Sequence, residues 1–419
     1  MRTCQSPYLR KNYTFGECLG KGSYAIVTET RLKSTDSRVA MKEIRLGKGN
    51  AEKVVTAFLA EVAICKRLGY HPGLSQLHVA FQDNSSCFLG LDLCNGGDLR
   101  FHLSRGEPFT QEQASYIIMS VGTALNYMHR MGVMHRDVKP ENIILRSNGT
   151  PVLTDFGISC MSLTNSIPFS KKSSGSLAYL APEVLTTTHS HSCQADFWSL
   201  GIVAYELLFG KRPFEKHCWK SMIYFSENNY TPLWEEVQSL LAEGDGPQEI
   251  DWVKLATCSE EYRRRTMRFP CHDIPLLEDG SLSKVLRVPL PHLTCAGEVV
   301  TPAFADMLDG LLDVRIPTRL GVGKTWEAFS EHTCFGDKEQ VPFLPDTAVV
   351  RTYLKNKYSK ENHPSFTDYG EDNQWEVLCA LSPATLENLR AVDYVSDAFA
   401  HNNMEEFDND TATATRSVQ

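Results

Sequence analysis

The stretch that decides the fold is Val133-Met134-His135-Arg136-Asp137-Val138-Lys139-Pro140-Glu141-Asn142, followed by the apolar strand Ile143-Ile144-Leu145. Asp155-Phe156-Gly157 begins eighteen residues after Asp137, and Ala181-Pro182-Glu183 follows further along the chain. Each of these short motifs could occur by chance in an unrelated protein. Their order is more informative than any one of them, and residues upstream extend the same pattern.

A glycine-rich stretch, Gly20-Lys21-Gly22-Ser23-Tyr24-Ala25-Ile26-Val27, lies near the start of the chain. A single Gly-x-Gly pair is weak evidence, because most such pairs are simply turns. Lys42 follows Val27 by fifteen residues. On a strand, Ala40 and Lys42 point to the same face, so a small apolar surface would lie beside an ammonium group. This combination predicts a site for adenine and phosphate, although a strand lysine taken alone is more often solvated.

Glu61 is the predicted partner of Lys42. It lies on a predicted helix, 51–68, and shares a face with Val54, Phe58 and Cys65. A carboxylate buried on such a face needs a cation, and Lys42 can supply it. The alternative is a glutamate at the rim of the core.

The remaining pattern predicts a small β-rich lobe joined near residue 94 to a larger helical lobe. The predicted strands span 13–19, 25–32, 38–44, 77–81 and 87–93, and the clearest later helices span 111–131, 194–210 and 301–314.

Taken in order, the motifs resemble the catalytic core of a eukaryotic protein kinase. The resemblance covers residues from about 13 to 370 and implies an α+β, two-lobed protein-kinase fold. The N-lobe would span 13–94, with one major helix, and the mainly helical C-lobe 95–335. The chemical groups of both lobes would converge on one cleft.

The resemblance also implies roles for individual residues. Asp137 corresponds to the aspartate that orients a substrate hydroxyl and accepts its proton, and Lys139 to the lysine that neutralises the transferred phosphoryl group in serine/threonine kinases. Asn142 and Asp155 correspond to the magnesium ligands. Lys42 and Glu61 complete the catalytic set.

The cofactor implied by the family is ATP with Mg²⁺. The residues that the resemblance assigns to binding them are Leu19, Gly20, Lys21, Gly22, Ser23, Val27, Ala40, Lys42, Asp92, Cys94, Asp98, Glu141, Asn142, Ile144 and Asp155. Ala25 replaces the third glycine of the family's loop, which implies a stiffer flap.

Two further pairs are implied by the family. Asp196 corresponds to the aspartate that braces the catalytic loop, and Arg319 to the arginine that pairs with Glu183. The 136 positions between Glu183 and Arg319 are more than the family needs, so 215–295 is interpreted as an insertion.

The region beyond 335 resembles the tail of the group that contains protein kinases A, G and C. The tail would span 336–400, with an extension at 1–12 and a disordered end at 401–419. In that group the tail brings a phenylalanine near the nucleotide, here Phe366. No terminal hydrophobic motif is evident, which is compatible with the branch often called YANK.

Three carboxylates, Asp98, Glu141 and Glu206, fall where relatives that select basic substrates hold substrate arginines. The resemblance therefore implies protein substrates with basic residues upstream of the phosphoacceptor.

The composition of the chain argues against some classes of function. The chain has 419 residues, 42% of them apolar, and a net charge of −9, which argues against nucleic-acid binding. No apolar run is long enough to span a bilayer. Thirteen cysteines without a Cys-x-x-Cys pair favour reduced thiols. We expect an intracellular monomer, cytoplasmic, nuclear or both, with no integral membrane association.

The predicted activity is transfer of the γ-phosphoryl group of ATP to serine or threonine hydroxyls. Two alternatives remain open. One is a catalytically inactive nucleotide-binding scaffold, which nucleotide would stabilise but which would transfer no phosphate. The other is a small-molecule or lipid kinase of the same superfamily, against which Lys139 and Ala181-Pro182-Glu183 argue.

Overall fold

The computed structural model describes most of the chain, in segments. These are 10–22, 25–47, 51–83, 85–162, 168–170, 174–185, 191–213, 290–313, 316, 318–336, 342–358, 381–392 and 394–396. The chain divides into two compact units. The first comprises Met1–Gly97, Ile144–Gly157 and Leu344–Gln419, and the second Asp98–Ile143 and Ile158–Phe343.

Strands and helices are named in chain order. The strands are β1 (Tyr13–Lys21), β2 (Ala25–Leu32), β3 (Arg38–Arg45), β4 (Leu77–Gln82), β5 (Ser86–Leu91), β6 (Val133–Met134), β7 (Ile143–Leu145), β8 (Pro151–Leu153), β9 (Cys160–Met161), β10 (Phe169–Ser170), β11 (His191–Ser192) and β12 (Tyr394–Val395). The helices are α1 (Ala51–Leu68), α2 (Leu99–Ser104), α3 (Gln111–Arg130), α4 (Gln194–Phe209), α5 (Pro302–Leu311), α6 (Trp326–Ser330), α7 (Thr347–Lys357) and α8 (Pro383–Arg390).

The first unit is built on a six-stranded antiparallel sheet with the order β1-β2-β3-β5-β4-β12. The alternation predicted for β3 is present. Val39 and Met41 are fully buried in an apolar cluster with Phe81 and Phe88, whereas Ala40 and Lys42 lie on the other face. The sheet therefore turns Lys42 away from its own core.

The helix α1 has the bounds that its periodicity predicts, Ala51–Leu68. Val55, Phe58 and Val62 form its buried face, and Glu61 is buried with them. The predicted strand 87–93 spans Ser86–Leu91, so it begins one residue earlier and ends two residues earlier than predicted.

The C-terminal segment also packs on the first unit. The helix α8 contacts α1, and β12 pairs with β4 through Tyr394 opposite Ala80 and Val395 opposite Val79. The ammonium of Lys66 lies 4.8 Å from the ring centroid of Tyr394. The sequence predicts a tail here but not these two elements.

The second unit is organised around α3 and α4. A capping box between Thr110 and Gln113 begins α3. The helix α4 is buried along its length from Ala195 to Phe209, so its hydrophobic residues face neighbours on every side. A Cβ on Gly122 of α3 would lie 2.4 Å from the ring of Phe329, which explains why glycine stands there.

Some predictions need adjustment, and others lie wholly or partly outside the described residues. The predicted helix 301–314 spans Pro302–Leu311, with Thr301 as its N-cap. Within the predicted insertion at 215–295 the structure describes residues 290–295, where the N–H of Cys295 donates to the carbonyl of Leu208 in α4 at 2.7 Å. The remainder of that insertion, together with Ser23, Phe366 and 401–419, lies outside the described residues. No helix among the described residues is long and apolar enough to cross a membrane.

Candidate active site

Three charged side chains meet in the first unit. The ammonium Nζ of Lys42 on β3 lies 2.8 Å from Oε1 of Glu61 on α1 and 2.9 Å from Oδ1 of Asp155. Glu61 is 4% exposed, whereas the side chain of Asp155 is 48% exposed. The predicted ion pair between Lys42 and Glu61 is therefore present, and Asp155 extends it towards solvent.

Burial opposes the charge on Lys42, but the carboxylates of Glu61 and Asp155 outweigh it and raise the pKa of Lys42 above its ordinary value. Burial also raises the pKa of Glu61, an effect that the neighbouring ammonium opposes. The ammonium of Lys42 stays charged at neutral pH, as a phosphate-binding group must.

The backbone around Asp155 is specialised. Its φ angle is +67°, a left-handed conformation that residues other than glycine seldom adopt. A Cβ on the following Gly157 would lie 3.4 Å from Asp155 Oδ1 and 3.5 Å from Glu61 Oε2. These are ordinary van der Waals distances, so the available space does not by itself require glycine at this position.

The described residues of the glycine-rich stretch lie at the end of β1 and the start of β2, two strands that pair antiparallel. Gly20 stands opposite Val27, and Val27 stands opposite Lys42 on β3, so this pair of strands is in register with the lysine. The N–H of Gly22 donates to the carbonyl of Ala25 at 2.8 Å. Leu19 and Lys21 lie on β1, and Ile144 lies on β7.

The segment after β5 contains the predicted adenine-binding residues Asp92 and Cys94. The carboxylate of Asp92 lies 2.7 Å from His78 Nε2 and 2.9 Å from Arg146 Nη2. Burial opposes ionisation of Asp92, but these two partners outweigh it and lower its pKa. The N–H of Asp92 donates to Gln76 at 3.1 Å, so it is already committed within the protein. Sequence reasoning missed His78 and Arg146 because neither belongs to a motif.

The catalytic loop of the second unit surrounds Asp137 with donors. Lys139 Nζ lies 2.6 Å from Asp137 Oδ2, and the N–H of Ser176 donates to Oδ1 at 2.8 Å. Asn142 Nδ2 donates to Oδ2 at 3.1 Å and to the backbone carbonyl of Asp137 at 2.8 Å. Lys139 also donates to the hydroxyl of Ser176 at 2.8 Å. The carboxylate is therefore held in one orientation by three residues.

Asp196 braces this loop, as the sequence predicts. It accepts the N–H of His135 at 2.9 Å and that of Arg136 at 2.7 Å, and it lies 2.8 Å from His129 Nε2. Arg136 has a φ angle of +71°, so the loop is held in a strained backbone conformation immediately before Asp137. Two buried backbone donors on one carboxylate fix the direction in which the loop leaves β6.

The three carboxylates predicted to receive substrate arginines all have partners inside the second unit. Asp98 caps α2 by accepting the N–H of Phe101 at 2.8 Å. Glu141 and Glu206 are both paired with Arg100, each at 2.8 Å. Two of the three carboxylates therefore already hold a guanidinium of this chain, and the preference for basic substrates stays a prediction.

The predicted magnesium ligands can be tested by their donor atoms. Since Asn142 uses its Nδ2 to hold Asp137, its Oδ1 is the acceptor left in that side chain. Asp155 offers a carboxylate that is half-exposed. Carboxylate and amide oxygens suit a hard cation that keeps several waters. Both residues therefore fit magnesium, each within its own unit.

The chain belongs to the protein kinase family: the family model described as the protein kinase domain matches residues 13–332. The chain is 39% identical over 196 residues to Protein kinase 2 of Dictyostelium discoideum, which covers 47% of this chain and 40% of that protein. It is 36% identical over 203 residues to Serine/threonine-protein kinase 32B of Homo sapiens, covering 48% of each chain.

The chain is 34% identical over 203 residues to Serine/threonine-protein kinase Sgk1 of Danio rerio, a match that covers 48% of this chain and 46% of that protein. The matches thus span less than half the length of these relatives. The family assignment confirms the predicted two-lobed α+β class, and the relatives agree with the predicted resemblance to the group of protein kinases A, G and C.

Proposed function

We propose that this protein is a serine/threonine protein kinase that transfers the γ-phosphoryl group of ATP and uses magnesium. The observation that carries the proposal is the set of contacts around Asp137, in which Lys139 and Ser176 orient the carboxylate. These contacts lie within residues 13–332, which the model of the protein kinase domain matches.

In the proposed reaction, a serine or threonine hydroxyl oxygen attacks the γ-phosphorus. The bond from that phosphorus to the bridging oxygen of ADP breaks, and the hydroxyl proton passes to Asp137. Lys139 neutralises charge on the phosphoryl group during transfer. Lys42, held by Glu61, binds phosphate oxygens of ATP.

Asn142 and Asp155 are the residues proposed to hold magnesium. Bound there, the metal would neutralise phosphate charge, as it does in this class of reaction. The residues of this chain supply the rest: Lys42 binds phosphate, and Asp137 accepts the proton. The monomeric state and the intracellular localisation stay predictions.

The test compares wild type with Asp137→Asn in a radiolabelled phosphate-transfer assay on a peptide array. A positioned base is worth about 10² to 10⁴-fold, so we expect kcat to fall by that factor. Asp306→Asn is the matched control, because Asp306 lies on α5 with 82% of its side chain exposed. It should leave kcat unchanged.

Nucleotide binding is measured separately, as the rise in melting temperature on adding ATP and magnesium. Asp137→Asn should keep this rise. A wild-type protein that is stabilised by nucleotide but transfers no phosphate to any peptide would instead be the scaffold. Full activity of Asp137→Asn would remove Asp137 from the role of base.

A further inference from the structure

Arg100 is the centre of a charged network in the second unit. Its Nε donates to Glu141 Oε1 at 2.8 Å, and its Nη1 donates to Glu206 Oε1 at 2.8 Å. Its Nη2 donates to Glu206 Oε2 at 3.2 Å and to the hydroxyl of Tyr179. All three nitrogens of one guanidinium are therefore used within the chain.

The network leaves little capacity for a second cation. Glu206 is 4% exposed, and both of its oxygens are occupied, because Tyr179 also donates to Oε2 at 2.6 Å. Burial opposes the charge on Arg100, but its bonds to Glu206 and Glu141 outweigh this and raise its pKa. Two carboxylates and one guanidinium leave the network with one net negative charge instead of two.

The network lies close to the residues that hold Asp137. Glu141 follows Lys139 by two positions, and Tyr179 follows Ser176 by three. Since an extended chain spans at most about 3.3–3.6 Å per residue, these steps cover no more than roughly 7 and 11 Å. In an extended substrate peptide, residues two or three positions from the phosphoacceptor lie within the same distance of it. Arg100 itself is partly exposed, at 32% of its side chain.

We propose that Arg100 is a specificity-determining residue, which fills from within the chain an acidic subsite next to the phosphoacceptor. A substrate arginine at this subsite finds both Glu206 oxygens occupied and gains no bidentate pair. The substrate class is therefore peptides whose recognition at this subsite does not depend on positive charge. This inference rests on the proposed kinase function.

The test uses Arg100→Gln, which removes the charge but keeps an amide that can donate to Glu206. Arg105→Gln is the matched control. Arg105 is the C-cap of α2, the short helix that contains Arg100, and its side chain is 45% exposed and pairs with Glu107 instead. A peptide library places arginine or alanine in turn at each of six positions on either side of one serine. The readout is the ratio of kcat/KM for arginine over alanine.

We expect ratios within about threefold for wild type and for Arg105→Gln at every position. For Arg100→Gln we expect a gain of tenfold or more at one or two adjacent positions, because charge-assisted hydrogen bonds from a substrate arginine to Glu206 and Glu141 become available. Arg100→Lys keeps the charge without the forked geometry and should give a smaller gain. A wild-type ratio of tenfold or more within three positions of the serine would overturn the inference without any variant.

A binding measurement separates this inference from the proposed function. The same peptides carry alanine in place of the serine, and their affinities are measured by fluorescence anisotropy. A selective gain in affinity of Arg100→Gln for arginine peptides supports the subsite even if wild type transfers no phosphate. Unchanged affinities and unchanged kcat/KM ratios in a folded Arg100→Gln variant would overturn the inference while leaving kinase activity established.

Discussion

The buried pair of Arg319 and Glu183 allows a stability prediction to be worked out from its contacts. Arg319 is fully buried and forms a bidentate ion pair with Glu183, in which Nη1 donates to Oε1 at 2.6 Å and Nη2 donates to Oε2 at 3.0 Å. It also donates to the carbonyls of Asp313 at 2.8 Å and Gln194 at 3.0 Å. The perturbation is Arg319→Met, which keeps most of the volume and removes every donor.

The expected loss of stability follows from what is left behind. Breaking a buried ion pair by removing one partner typically costs about 3–5 kcal/mol, because the remaining charge is uncompensated. Glu183 is only 3% exposed, so its carboxylate would be left buried and uncompensated in Arg319→Met. Two backbone carbonyls, that of Asp313 buried and that of Gln194 partly buried, also lose a donor, which adds to the cost. We therefore expect Arg319→Met to lower the free energy of unfolding by at least about 4 kcal/mol.

The assay is urea unfolding followed by tryptophan fluorescence, for which Trp198 is well placed, since its ring lies 5.1 Å from the guanidinium carbon of Arg319. Arg105→Met is the control, because the ion pair of Arg105 with Glu107 is partly exposed. Pairs of this kind contribute about 0–1 kcal/mol. The double variant Glu183→Met with Arg319→Met should recover part of the loss. A loss below about 1 kcal/mol for Arg319→Met alone would refute the reasoning.

Two further predictions concern pH and the C-terminal segment. Burial opposes protonation of His129, but Cys193 and Asp196 outweigh it and raise its pKa to about 9. The stabilisation of the folded state by protonated His129 is therefore complete below pH 6.5 and is lost as the pH rises through 9. The free energy of unfolding should fall by about 3 kcal/mol at most over this range. Urea unfolding across this range should show that fall, and His129→Gln should abolish it; an equal fall in both proteins would contradict the assignment. Glu52 on α1 accepts hydrogen bonds from the N–H and the hydroxyl of Ser382, each at 3.0 Å. Glu52→Ala should therefore speed amide hydrogen exchange in α8 but not in α4. Unchanged protection of the α8 amides would show that the docking of α8 does not need Glu52.

Features that depend on local pattern were predictable. The bounds of α1 and β2 follow from periodicity and turn residues, and the structure gives both as predicted. The pairing of Lys42 with Glu61 also followed, because a carboxylate on a buried helix face has few ways to be satisfied. The brace from Asp196 followed from the resemblance and is present in the hydrogen bonds to the catalytic loop.

Features that depend on neighbours remote in sequence were not predictable. The strand β12 is only two residues long, and it forms because the edge of β4 offers unpaired backbone groups. The start of α8 also contacts Glu52 of α1 through the hydroxyl of Ser382, and no periodicity reveals such a contact. The same holds for the partners of Asp92, since His78 and Arg146 reach it from fourteen and fifty-four positions away.

Arg100 shows that a motif can place a charged side chain without showing whether that charge is available to a substrate. The motif places Glu141 beside the catalytic loop, and the resemblance assigns Glu206 to the same function. Arg100 is forty-one positions from the first and 106 from the second, so only the folded chain shows that it occupies both. A carboxylate attracts a substrate cation in proportion to its unpaired charge and its unoccupied oxygens. We therefore expect substrate selection at the proposed subsite to depend on the whole network, including Arg100, which lies outside every motif.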